Sequence, residues 1–595
     1  MIDVNNTGGK TLNVRFSSIV TSVLPEDGVK RLETIPAKEE PKPEADLPQQ
    51  PQDRVLFLDL AKKDHKTIPE EILDLQDIEE LHLEKNQIET IPEDIRHLKN
   101  IKVLYLNDNR LQYVCEELGE LPLLQSLDLS NNPILVNSVH ILSKVLALRE
   151  LRLYNINLEE FPFEICKCLH HLELLGLSGN NLKSLPKEVV NLVKLREIYL
   201  QHNQFVCFPL DLCHLGTLEV IDLEQNNIRS IPVEICSLLK LAKLFVGFNK
   251  LTSMPDSLPQ CTQLSVLDVS HNKLHKLPRS FREFSALYEV GLSGNDLKVF
   301  PRHLCYINSL GVLYLKKAGL KMLPRAFSKL KNIKILDLGQ NMLSTFPIEV
   351  CALENLEILS LDDNEISKVP AEVINLSNLK QLGLTGNRFT DFPEEVYLLE
   401  SLERLYLGQD SGVRFSSIPE NINQLKNLRE LYLENNNLEL LPPSIGLLEK
   451  LEVLDCHNNR LQSLPDSISQ MQGLEKLFLQ NNQLTKLPDN LESLKKLRML
   501  VLDGNPMTDP PAEICSQGLE AIWKYLQDRR YRNAMATKIQ AWWRGMMVRK
   551  GLGPFAYLLE LGKKGKKGGK KDKKDKKGKK DKKKQDAAPK KGKKK

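Results

Sequence analysis

Long apolar runs are missing from this 595-residue chain: no window approaches the roughly 18 consecutive apolar residues that a membrane-spanning helix needs. The opening MIDVNNTGGKTLNVRF lacks the basic-then-apolar layout of a secretory signal, there is no second-position Gly for myristoylation, and the terminal GKKK is not a prenylation box. These absences set the expected location as the cytoplasm, with nucleus, cytoskeleton or cilium as alternatives. Cysteine is sparse, 11 in the whole chain, too few for a disulfide scaffold, so the thiols are expected reduced. There is no HExxH, no GxSxG elbow and no pair of Cys or His clusters at ligand spacing; Cys166 and Cys168 form a CxC without a second ligand pair. Gly9, Lys10 and Thr11 echo the end of a phosphate-binding loop, but the first required glycine falls at Val4. Nothing nominates an enzyme, a metal or a cofactor.

What charge there is divides sharply. The net charge is +4, yet residues 563–595 hold 20 Lys and 4 Asp, or +16, which leaves −12 for residues 1–562. A tail of that composition builds no core and is expected to be disordered. It is suited to an anionic membrane, nucleic acid or an acidic protein tail through salt-sensitive attraction. Residues 36–53, PAKEEPKPEADLPQQPQD, read as a flexible linker, preceded by apolar spots such as TLNVRF that suggest a short strand or a degenerate repeat. All three tryptophans, Trp523, Trp542 and Trp543, sit in one stretch near the C-terminal end.

Between those ends a motif, LxxLxLxxNxL, recurs every 23 residues, as in IEELHLEKNQI from Ile78 to Ile88. Aligned on its asparagine, it runs from Asn86 to Asn505 in 16 copies, and four more keep the leucines but carry Lys63, Ile156, Ala318 or Asp410 there. The spacing stretches to 24 on either side of Ile156 and to 26 between Asp410 and Asn436, where GQDSGVRFSS is expected to bulge. Each LxL predicts a short strand with one side inward, and a buried Asn can satisfy backbone groups where the chain leaves the strand. Ile156 and Ala318 lack the amide, so water or local repacking is expected to substitute. A turn of the form xLPxxIxxL follows, its proline setting the start of a short helix or helical turn. Cys166, Cys213, Cys236, Cys305, Cys351 and Cys515 fall in register after an aliphatic residue and read as small packing residues.

This pattern resembles the leucine-rich repeat family over about residues 53–510, in the variant found in intracellular Ras-pathway and cell-polarity scaffolds. The resemblance implies an α/β solenoid of about 20 repeats: a curved horseshoe with a parallel sheet on its concave face, a C-terminal helix and disordered ends. The expected organisation is a flexible segment over 1–52, the array over 53–510, a capping helix over 511–532, a second helix over 533–552, and a linker and tail over 553–595. Residues between the inward leucines face the concave surface. Among them Tyr199, Asp222, Phe245, Asp268, Tyr314, Asp337, Tyr406, Tyr432, Asp455 and Phe478 form a column of aromatics and aspartates suited to a protein partner. With Glu197, Glu224, Glu289, Glu430 and Glu434 beside it, that column favours a basic one. The competing explanation is that the rings simply stack on strand neighbours, worth about 0.2–1 kcal/mol per pair.

After the array, Leu519, Ile522, Trp523 and Leu526 recur at helical spacing and read as the cap. Then comes ATKIQAWWRGMMVRK. Ile539, Gln540, Arg544, Gly545 and Arg549 occupy all five fixed positions of IQxxxRGxxxR, and so resemble IQ segments that bind calmodulin or related EF-hand light chains. Ile539, Trp542, Trp543, Met546 and Met547 make one apolar stripe, flanked by Lys538, Arg544, Arg549 and Lys550. The resemblance implies that Ile539 anchors in a lobe, that Gln540 bonds the partner's backbone, and that Arg544 and Arg549 meet its acidic surface. Gly545 costs a helix about 1 kcal/mol relative to Ala, which close approach of a partner would offset. The stripe could instead pack on the last repeat or lie on a membrane interface.

The combined layout resembles the leucine-rich repeat and IQ domain-containing proteins, which implies a non-enzymatic adaptor. The alternatives are a membrane- or nucleic-acid-associated factor driven by the tail and a cytoskeletal or axonemal component.

Overall fold

The computed structural model describes residues 56–409, 413–550 and 552–553. The expected segment 1–52, nearly all of the expected tail 553–595, Asp410 and the tip of the 408–417 bulge lie outside the described residues. The chain divides into two compact units, Met1–Ala512 and Glu513–Lys595.

Leucines at every second position force the first unit into strands, because only an extended backbone turns both to the same side. Among the described residues, 20 strands of three residues each, from Phe57–Asp59 to Met499–Val501, form one sheet. Each pairs in parallel with the next in sequence, and the middle residues stay opposite one another, as Leu58 to Leu81 and Leu477 to Leu500. Those middle residues point inward; Leu81, Leu104 and Leu127 are fully buried. A long arch of apolar side chains results, in which each coil covers the one before it.

Proline then opens the return path as expected. Pro92, at φ −69°, caps the 3-10 helix Glu93–His97, and Pro232, at φ −70°, caps Val233–Ser237. At this capping position the missing N–H breaks no intrahelical bond. Most return elements are five-residue 3-10 turns; Phe163–Cys168 is a short α-helix. The in-register cysteines behave as packing residues: Cys166, Cys213, Cys305 and Cys351 are buried, whereas Cys236 and Cys515 are partly so.

The asparagines bind successive coils together. Asn249 shows the standard arrangement: its Oδ1 accepts from the N–H of Ile228 in the preceding coil at 2.9 Å, while its Nδ2 donates to Leu223 O at 2.9 Å and Val246 O at 3.1 Å. Because Asn226 also donates to Leu223 O and Asn272 also donates to Val246 O, each strand-end carbonyl receives two side-chain donors. This overlap explains the repeats without an asparagine. At Ile156 the following Asn180 accepts two N–H groups, from Ile156 at 3.1 Å and Leu158 at 3.0 Å, and donates to Leu153 O at 2.8 Å. Asn341 serves Ala318 and Leu320 in the same way, and Asn86 serves Lys63 and His65. The expected substitute, water or repacking, is thus replaced by the neighbour's amide.

The residue before the ladder asparagine commonly takes a left-handed conformation, as at Asp108 (φ 57°), Phe248 (φ 52°) and Gly294 (φ 69°). Gly, Asn and Asp, which favour it, fill most copies of the position, and Phe248 is held there against its own preference.

The second unit is dominated by one helix, Leu519–Lys550, 32 residues and so about 48 Å long. It crosses the expected boundary near residue 533 without interruption, whereas the start of the expected 511–532 segment is a separate short helix, Ala512–Cys515. Ile522 and Leu526, expected on its inward face, are its buried residues. No helix among the described residues is long and apolar enough to cross a membrane.

A graded sensitivity follows from the ladder. Asn249→Ala should orphan one buried N–H, whereas Asn180→Ala should orphan the N–H groups of Ile156 and Leu158 and remove the side-chain donor to Leu153 O. Each buried unsatisfied group costs about 1–3 kcal/mol. Urea denaturation should therefore show Asn180→Ala more destabilising by at least about 2 kcal/mol; equal losses would contradict the shared-donor account.

Candidate functional site

Two surfaces gather the candidate residues, and the first is the distal part of the long helix. Good helix formers and the absence of proline carry it past Leu526, although residues 531–544 are all exposed. Ile539 is 64% exposed, Trp542 60% and Trp543 51%. Met546 and Met547 are half-buried near the helix end, where Leu552 N donates to Met547 O at 3.0 Å and Gly553 turns the chain at φ +66°. The spacing of 3, 4, 7 and 8 from Ile539 puts all five side chains on one side of the helix.

The rest of this helix surface is basic. From 529 to 550 it carries Arg529, Arg530, Arg532, Lys538, Arg544, Arg549 and Lys550, and no carboxylate. Lys538, Arg544, Arg549 and Lys550 make no ion pair with a described residue. Gln540 is exposed, and a Cβ built on Gly545 would meet only the Arg549 guanidinium, at 3.9 Å. Nothing within this helix therefore requires glycine there. Sequence reasoning missed Tyr531 and Met535, both exposed and four residues apart on the line to Ile539. Their spacing was the available signal.

The second surface is the sheet face. Tyr199, Phe245, Tyr314, Tyr406, Tyr432 and Phe478 stand on it half-buried, and some are engaged with strand neighbours. Tyr406 stacks on Tyr432 with ring centroids 4.7 Å apart, and the Tyr199 and Tyr432 hydroxyls donate to Glu197 at 2.7 Å and Glu430 at 3.0 Å.

The aspartates depart from expectation. Asp222 and Asp337, expected to face a partner, are only 6% and 3% exposed. An aspartate at the strand's third residue folds onto its own backbone: Asp222, Asp268, Asp337 and Asp455 each accept, through Oδ1, the N–H two residues on, at 2.8–3.0 Å. Neighbouring glycines leave the room, since a Cβ on Gly291 would lie 2.3 Å from Asp268 Oδ1 and one on Gly247 2.8 Å from Glu224 Oε1. This bending depends on residues one repeat away, beyond what a single column of the sequence displays.

Elsewhere on the face acids meet a cation, as Glu150 with Arg152 at 3.0 Å and Glu430 with Arg404 at 3.0 Å, or an imidazole, as Asp455 with His457 at 2.6 Å. Between strands Val220–Asp222 and Glu289–Gly291 they do not: Asp222, Glu224, Asp268 and Glu289 form no ion pair with a described residue. Burial pushes the Asp222 carboxyl up to about 6, against the lowering effect of the bond from Glu224 N–H. Burial, then repulsion from Asp268 and Asp222, pushes Glu224 up to about 7.

Comparisons with known proteins match both the repeats and the distal helix. A leucine rich repeat family model matches residues 76–134, 147–205, 239–297, 354–411 and 449–507, and a two-copy repeat model matches 426–470. Together these cover more than half of the chain. The IQ calmodulin-binding motif model matches residues 536–552. The mouse (Mus musculus) leucine-rich repeat and IQ domain-containing protein 4 is 56% identical over 168 residues, 28% of this chain and 28% of that protein. The human (Homo sapiens) protein of that name is 55% identical over 170 residues, 29% of this chain and 30% of that one. The matched stretch thus spans less than a third of either relative. Among solved structures, the ectodomain of the plant receptor kinase GASSHO1/SCHENGEN3 from Arabidopsis thaliana, in complex with Casparian strip integrity factor 2, is 29% identical with a TM-score of 0.51. That alignment covers 76% of this chain and 56% of the receptor. The plant peptide hormone receptor RGFR1 in complex with RGF2 is 26% identical, with TM-score 0.50 over 73% of this chain and 79% of that one.

The unpaired carboxylates make a pH prediction. Glu224 has a folded pKa raised above its unfolded value, so the folded state holds the extra proton between about pH 4 and 7 and stability falls as pH rises through that window. Glu224→Gln should therefore gain stability relative to the parent as pH goes from 5 to 8, read from urea midpoints; a difference independent of pH would contradict the assignment.

Proposed function

We propose, from the premise that this chain belongs to the leucine-rich repeat proteins, that it is a non-enzymatic scaffold whose distal helix docks calmodulin or an EF-hand light chain. A repeat array joined to an IQ motif supports a protein-interaction role in general. The finer reading rests on one observation: Ile539, Trp542 and Trp543 are more than half exposed on a basic stretch of helix, 529–550, that carries no carboxylate. Leaving two indoles and an isoleucine in water forgoes about 1.5–3 kcal/mol per side chain that burial would return. An acidic partner with apolar grooves supplies both missing complements, and helix-in-groove docking is the mode such a stripe serves.

In this reading Ile539, Trp542, Trp543, Met546 and Met547 enter the grooves, Gln540 bonds the partner's backbone, and Arg544 and Arg549 meet its carboxylates. Gly545 admits the partner's backbone. The sheet face holds a second protein, for which the exposed parts of Tyr199, Phe245, Tyr314 and Phe478 give contact area. The polypeptide seated on a receptor of similar fold is the supporting analogy. The expected location is the cytoplasm.

Tryptophan fluorescence of the full chain titrated with calmodulin, with and without calcium, tests the docking. Emission should shift to the blue, and Ile539→Asp or Trp543→Asp should abolish the shift; a shift that survives both means a different docking face. Gly545→Ala separates helix from partner. The new methyl group meets only the Arg549 guanidinium at ordinary contact distance, so helix stability should rise by about 1 kcal/mol. Affinity should nevertheless fall by roughly fivefold or more. Unchanged or tighter binding would remove Gly545 from the contact.

A further inference from the structure

Tyr531 and Met535 precede the 536–552 stretch that matches the IQ model, and neither is explained by it. Both are apolar side chains left in solvent, Tyr531 65% and Met535 40% exposed. Tyr531, Met535 and Ile539 follow one another at intervals of four, and Trp542, Trp543 and Met546 continue from Ile539 at three, four and seven. On one unbroken helix these intervals trace a single line. From Tyr531 to Met547 the line is about 24 Å long. The charge pattern has the same extent: Arg529, Arg530 and Arg532 lie beside its upstream part as Arg544, Arg549 and Lys550 lie beside its downstream part, with no carboxylate between.

We infer that the docking face begins two helical turns ahead of Ile539, and that Tyr531 and Met535 are direct contacts of the same acidic, two-lobed EF-hand partner. This rests on the docking reading proposed above and extends it. The motif residues set the class of partner, whereas the upstream pair discriminates among members of that class. A partner long enough to cover the whole stripe gains two more buried side chains; a shorter one gains none. Charge complementarity selects this occupant over a second copy of the helix, which would set Lys538, Arg544, Arg549 and Lys550 against the same cations.

The test uses the full chain, with calmodulin as probe and tryptophan emission as readout, in parallel with vesicles of anionic phospholipid. The double variant Tyr531→Ala, Met535→Ala should bind calmodulin about 10- to 100-fold more weakly, as expected for losing two partly buried apolar contacts. Alanine is the strongest helix former, so the far-UV signal should hold or rise and the loss cannot come from unwinding. Asn533→Ala, off the apolar line, should leave affinity within twofold. If Ile539→Asp abolishes binding while the double variant matches the parent, the upstream extension is wrong and the motif reading stands. If Ile539→Asp changes nothing, or if vesicles shift the emission and calmodulin does not, both readings fall.

Discussion

The asparagine column is the interaction on which the first unit depends. A strand of three residues offers too few backbone bonds to hold its own turn, and the chain leaving it presents buried N–H and C=O groups that water cannot reach. One carboxamide, with an acceptor facing the preceding coil and two donor hydrogens facing two strand ends, answers both needs at once. Because the donors of adjacent coils overlap, the array tolerates a vacancy wherever the following coil keeps its asparagine, as at Lys63, Ile156 and Ala318. Two vacancies in succession would leave a carbonyl without any side-chain donor. Holding the strands in register in this way is also what lines up the residues of the sheet face.

Much of this was readable beforehand, for an identifiable reason. Strand, ladder and proline turn repeat every 23 residues, so each weak local signal is reinforced by its copies, and the 20 expected repeats emerge as 20 strands. The face was harder. Each aspartate there reaches for the amide two residues on, and how far it meets solvent varies with the side chains one coil away, from the glycine beside Asp268 to larger residues elsewhere. Asp222 and Asp337, flanked instead by Tyr199 and Phe245 and by Tyr314 and Ser360, are buried although their column position matches that of the half-exposed tyrosines. In the distal helix the five fixed positions of IQxxxRGxxxR stood out at once, while Tyr531 and Met535 did not, since they belong to the same face without belonging to the motif.

The two units therefore present different kinds of surface. The sheet face is already organised by its own ladders, with tyrosines stacked and aspartates bonded to the backbone, so a partner there meets a rigid, largely prepaid arrangement. The distal helix is the reverse case. Residues 531–544 have no burial to hold them, and a helical stretch without tertiary packing is marginal in water. Docking would supply the burial that the helix lacks, so that folding and recognition become coupled there.

Hydrogen exchange on the full chain addresses that coupling directly. In the free protein the amides of residues 531–544 should exchange fast, while those bonded to the ladder, such as Leu251 and Leu274, stay protected. Added calmodulin should slow exchange across 531–547 and leave the ladder unaffected. Strong protection of the distal helix in the free protein, or none in the presence of calmodulin, would contradict the account.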